Sequence, residues 1–119
     1  MADRLAASTN CYHPYSLEDA LAGISGAGFS SVELNSVPGW TEHVRRDAGL
    51  EEIGYVKDLL DKYSLTPISL SGHSDLTSDV GVGEFRKALA LCKRLGINMI
   101  TTSSGGPSAP PTRAPPEQR

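Results

Sequence analysis

The run Leu65 to Leu76, LTPISLSGHSDL, leaves few folds open. It predicts a buried strand over Ile68, Ser69, Leu70 and Ser71 that opens into a polar loop carrying His73, Ser74 and Asp75. A helical pattern from Gly83 to Leu95 follows, with Val82 just before it and Phe85, Ala88, Leu89, Cys92 and Leu95 on one face, closed by Gly96. A second apolar run, Ile97 to Ile100, opens a strand that extends to Thr102. Strand, loop, helix, strand is the repeating unit of a parallel sheet, because parallel neighbours must be joined by a crossover. In such sheets the loops at the carboxyl ends of the strands carry the chemistry. Residues 72–75 therefore occupy the place of a site.

The preceding chain repeats the unit. Leu5 to Thr9 is a short strand candidate that opens into the loop Asn10 to Tyr15. Ser16 can cap the amide of Asp19, and Leu17, Ala20, Leu21, Ile24 and Ala27 fall at helical spacing. Gly28 suits the left-handed residue that ends such a helix. Ser31 to Leu34 is the second strand, with Val32 and Leu34 on one side and Glu33 on the other. A loop, Asn35 to Gly49, contains Pro38, Trp40 and His43. The second helix is expected over Leu50 to Tyr63, on a stripe of Leu50, Ile53, Val56, Leu59, Leu60 and Tyr63. The strands begin near residues 5, 31, 66 and 97. That recurrence predicts an α/β fold of about four βα units on parallel strands. The pattern stops at residue 106. Residues 107–119 hold five of the eight prolines and no periodic apolar residue, so a disordered tail is expected after a folded domain over 1–106.

Composition excludes some functions. The 119 residues make at most one domain. The net charge of −3 opposes a nucleic-acid surface, which is usually basic. The pairs Arg45-Arg46 and Lys93-Arg94 read as solvated faces. No run approaches the roughly 18 apolar residues of a membrane span. The start, MADRLAAS, lacks the apolar core of a signal peptide. A cytoplasmic protein is expected. Of the two cysteines, Cys92 falls on an apolar helix face, and Cys11 lies near His13 with no third orienting group to make a nucleophile.

Three stretches together resemble a known family. SLEDALAGISGAGFSSVEL is similar to the first helix and second strand of the xylose-isomerase-like TIM barrels, the sugar phosphate isomerases and epimerases, with the endonuclease IV type as distant kin. SLSGHSDL resembles the end of the family's third strand, and EFRKALALCKRLGINMITTSSGG its third helix and fourth strand. The resemblance covers residues 4–106. It implies the N-terminal half of a TIM (β/α)8 barrel, since a complete one needs about 250 residues. It also implies a sugar or sugar-like polyol substrate and a divalent metal (Mn, Mg, Co or Zn) in the complete family. The reaction there is proton abstraction beside a carbonyl, with the metal stabilising the enediolate oxygen. The family's metal ligands lie on strands of the second half, which have no counterpart in this sequence. The resemblance therefore implies no metal bound by this chain and no turnover by it alone. It assigns His13, Glu33 and His73 to the substrate-side wall. In the nuclease branch the histidine at position 73 binds zinc, together with a second after the fourth strand. That place reads Thr101-Thr102-Ser103-Ser104 here, which disfavours a trinuclear site.

Other readings stand beside these. A half-barrel leaves two open sheet edges, so a non-catalytic chain that pairs with itself or is completed by a partner is the main alternative. His73, Ser74 and Asp75 also suit a loop capped by its own side chains. Glu33 suits a solvent-facing strand position, and His43 a surface one. Trp40 suits either a wall of the barrel mouth or packing on the second helix. Thr102 to Gly106 reads as a linker or as a cradle of backbone amides for phosphate.

Overall fold

The computed structural model describes residues 4–105. The tail expected over 107–119 lies outside them. Strands β1 (Ala7–Ser8), β2 (Ser31–Asn35), β3 (Thr66–Ser71) and β4 (Ile100–Thr101) alternate with helices α1 (Leu17–Gly26), α2 (Leu50–Lys62) and α3 (Asp79–Leu95). All neighbours pair in parallel, and the strand order is β1-β2-β3-β4. Each crossover advances by one strand in the same direction. Right-handed connections then place all three helices on one face, and α2 packs against both α1 and α3.

Local chemistry sets the boundaries. Ser16 Oγ accepts the Asp19 amide at 3.0 Å and starts α1. Gly28, at φ +99°, carries the chain away from its end. Glu52 Oε1 accepts the Gly49 amide at 3.2 Å at the start of α2. The core lies between sheet and helices, where Leu21, Val32, Leu34, Leu70 and Leu91 are fully buried. Each such side chain stabilises the fold by about 1.5–3 kcal/mol relative to exposure.

Four expectations need correction. Ile68 is 45% exposed rather than buried. The register steps from Val32↔Pro67 to Glu33↔Ser69, so Ile68 is the extra, unpartnered residue of a β-bulge. Leu50 is 87% exposed, because it is the first residue of α2 and precedes the packed stripe. Helix α3 begins at Asp79, capped by Ser78 Oγ on the Gly81 amide at 3.0 Å, ahead of the expected Gly83. Strand β4 is only Ile100–Thr101, with Met99 exposed before it.

Candidate functional site

Pleating gives β2 two faces. Val32 and Leu34 enter the helix-packed core, so Glu33 points to the helix-free face. There the bulge brings Ser69 opposite it, and Ser69 Oγ donates to Glu33 Oε2 at 2.9 Å. Ser8 is the register partner of Glu33 on the other side. Ser8, Glu33 and Ser69 thus form one polar row across three strands. One step toward the carboxyl ends, Asn35 Nδ2 donates to Ser8 Oγ at 2.8 Å and to Thr9 Oγ1 at 3.1 Å. Glu33 is half-buried and keeps one carboxylate oxygen beyond the Ser69 bond.

The loop after β1 carries a second group. His13 stacks on Trp40 with centroids 4.8 Å apart and planes at 22°. Trp40 Nε1 donates to Asn10 Oδ1 at 3.1 Å. An indole nitrogen only donates, so this fixes the orientation of the Asn10 amide. Thr41 Oγ1 donates its one proton to the same oxygen at 2.5 Å. The 2.6 Å contact of His13 Nδ1 with Thr41 Oγ1 must then be donated by the imidazole. His13 Nε2 is left outside this chain of bonds. Its partners are Thr41 and Trp40, not Cys11, and Cys11 is exposed. His43, expected at the surface, is half-buried and donates from Nε2 to the Tyr15 carbonyl at 2.8 Å.

The loop after β3 holds His73, whose side chain is exposed and whose carbonyl accepts from Arg46 Nη2 at 2.8 Å. Arg46 is only 4% exposed, which corrects its reading as a solvated face. Its guanidinium also donates to the Ser36 carbonyl at 3.0 Å, Ser74 Oγ at 2.7 Å and the Glu84 carbonyl at 3.2 Å. Burial lowers its pKa, opposed by the charges of Glu84 and Glu42. Arg45, its neighbour, is exposed and forks onto Glu52 at 3.0 and 2.8 Å. Arg46, His73, Ser74 and Glu84 border a cavity of about 340 Å³. Asp75 accepts the Thr77 hydroxyl and, at 3.0 Å, the Thr77 amide, which hold its carboxyl below the usual range. That is the self-capped loop. Thr102 Oγ1 accepts the Ser74 amide at 3.1 Å and donates to the Ser103 carbonyl at 2.9 Å, so its hydroxyl clasps two strand-end loops.

His13, Glu33 and His73 thus sit on three consecutive βα units, after β1, within β2 and after β3. No hydrogen bond joins them. Asn10 and Thr41 are residues that the sequence did not single out, and Arg46 it read only as a solvated face. Among the described residues no three His, Cys, Asp or Glu side chains gather as a metal site. No described helix is long and apolar enough to cross a membrane. Comparison with known proteins finds no family model that matches the chain and no significant match among curated proteins.

Proposed function

We propose that the four βα units are the first half of an eight-stranded barrel of the sugar isomerase and epimerase type, and that they form the substrate-side wall of its site. The observation that carries this reading is the half-buried Glu33 carboxylate, aligned by Ser69 on the helix-free face of a parallel sheet. Strand order supports it as well. Doubly wound sheets reverse order partway and carry helices on both faces, whereas a barrel advances strand by strand with helices outside. On this reading Glu33 accepts a polyol hydroxyl, and His13 Nε2 and His73 offer further hydrogen bonds from the flanking loops. On this reading proton abstraction falls to groups on further strands of such a barrel.

The test is a titration of the protein with aldoses, ketoses and their phosphates, read by side-chain NMR at Glu33, His13 and His73 and by Trp40 emission. Saturable shifts at Glu33, weakened about tenfold or more in Glu33→Gln, are expected. That loss corresponds to about 1.4 kcal/mol, in the range of a hydrogen bond to a charged group. Absence of any shift at millimolar ligand overturns the reading.

A further inference from the structure

Trp40 has no role in the wall described above. It is 63% exposed and yet fixed in place. Its backbone closes a tight turn, with the Trp40 amide on the Val37 carbonyl at 3.0 Å. Pro38 at the second place of that turn and Gly39 at the third, with φ +82°, follow the type II pattern. The next residue secures it, because the Thr41 carbonyl accepts the Val37 amide at 2.9 Å. The side chain is held at its nitrogen by Asn10 Oδ1 and along one face by His13. Holding a large side chain in one rotamer costs conformational entropy, and here that cost brings little burial of the ring.

The stacking decides which face remains. His13 covers one face of the indole, and an exposure of 63% leaves the opposite face open. Polar groups border the indole. Asn10 Oδ1 accepts from both Trp40 and Thr41, which leaves the Nδ2 donors of Asn10 without a partner among the described residues. Nε2 of a neutral His13, protonated at Nδ1, is an acceptor. The Asn10 amide also donates to Ser8 Oγ at 3.1 Å, and Ser8 is the register partner of Glu33. The indole and the Glu33 row therefore meet at the carboxyl end of β1.

We infer that the open face of Trp40 stacks on the ring of a pyranose, so that this wall takes a sugar in its closed form. The inference rests on the function proposed above. A pyranose with equatorial hydroxyls has axial C–H bonds on its faces and hydroxyls around its edge. The C–H face suits the negative face of an indole. The edge hydroxyls both donate and accept, which suits Asn10 Nδ2, His13 Nε2 and Glu33. An open-chain polyol has the same hydroxyls but no such face.

Methyl β-D-glucopyranoside, locked as a ring, and sorbitol, which cannot close, separate the two forms. Each is titrated against the full chain by proton NMR and by emission, which reports Trp40 because the chain has one tryptophan. The glucoside is expected to bind about tenfold more tightly than sorbitol, with its axial protons moved upfield by the indole ring current. Trp40→Leu, at an exposed position, is expected to abolish both the preference and the upfield shifts with far-UV dichroism unchanged. Trp40→Phe is expected to keep most of both. Equal affinity for the two ligands, a preference that survives in Trp40→Leu, or tighter binding of adenosine each overturns the inference. Equal shifts at Glu33 from both ligands leave the proposed function standing while the stacking fails. Upfield glucoside protons with no response at Glu33 do the reverse, and no binding of either ligand at millimolar concentration overturns both.

Discussion

The imidazole of His13 and the indole of Trp40 lie face to face, 4.8 Å apart, and both are tied to Asn10, one directly and one through Thr41. The donors in this ring leave one tautomer for a neutral His13, with the proton on Nδ1. His43 is the opposite case, because its Nε2 must donate to the Tyr15 carbonyl, leaving a bare, buried Nδ1. Long-range nitrogen–proton NMR is expected to show the two histidines with opposite tautomers. Thr41→Val is expected to return His13 to a mixture and to cost about 1 kcal/mol, since the exposed partners it frees can rehydrate. Identical tautomers in the native protein would refute the bonding scheme.

Gly81 lies in the first turn of α3, and a Cβ there would run into the carbonyl of Asp75. Alanine favours a helix over glycine by about 1 kcal/mol. The overlap is with main chain, so it cannot be relieved by a side-chain rotation. Gly81→Ala is expected to destabilise by about 2–3 kcal/mol, in the range of overpacked sites. Gly83→Ala, with nothing within 4 Å, is expected to gain up to about 1 kcal/mol. Urea unfolding of both variants is the measurement, and equal effects would remove the Asp75 contact as the cause.

The same glycine explains why the start of α3 was hard to read. Gly81 and Gly83 lower helix propensity, and their packing reason lies in a loop that the sequence does not place. Strand β3 was legible because Pro67 near its start and the polar loop after Ser71 mark its ends. The bulge at Ile68 was not, because it depends on how β2 and β3 twist against each other. Glu33 could be placed by alternation alone. Arg46 could not, because three of its four acceptors are main-chain carbonyls from separate stretches of chain, and carbonyls leave no mark in a sequence.

Three exposed carboxylates are held below their ordinary range by donors. Lys62 and then the Tyr63 hydroxyl act on Glu18, Arg45 and then the Gly49 amide on Glu52, and the Thr77 hydroxyl and amide on Asp75. A carboxyl lowered in the folded state stabilises the fold above its ordinary value, near pH 4, and loses that contribution as the pH falls through the lowered one. The urea midpoint is expected to drop as pH falls below about 4, and to drop less in Glu18→Gln. Because these groups are exposed, added salt is expected to shrink the difference between the two proteins. An unchanged pH profile in the variant would show that Lys62 and Tyr63 do not hold Glu18 in solution.

Arg46, in the loop after β2, donates four hydrogen bonds: one to the Ser36 carbonyl of its own loop, two to His73 and Ser74 in the loop after β3, and one to the Glu84 carbonyl of α3. A buried cation is costly, and here no carboxylate sits in contact with it; neutral oxygens hold it instead. Replacing it by Met removes the charge but leaves several carbonyls without donors, each worth about 1–3 kcal/mol when buried. Part of that loss is offset by apolar burial and by water entering the neighbouring cavity. Arg46→Met is therefore expected to destabilise by about 3 kcal/mol. Arg46→Lys is expected to be no better, since one ammonium cannot span acceptors arranged around a planar fork. Amide exchange should rise at His73 and Ser74 ahead of the core strands. If Arg46→Lys proves as stable as the parent, charge rather than the fork holds the two loops together.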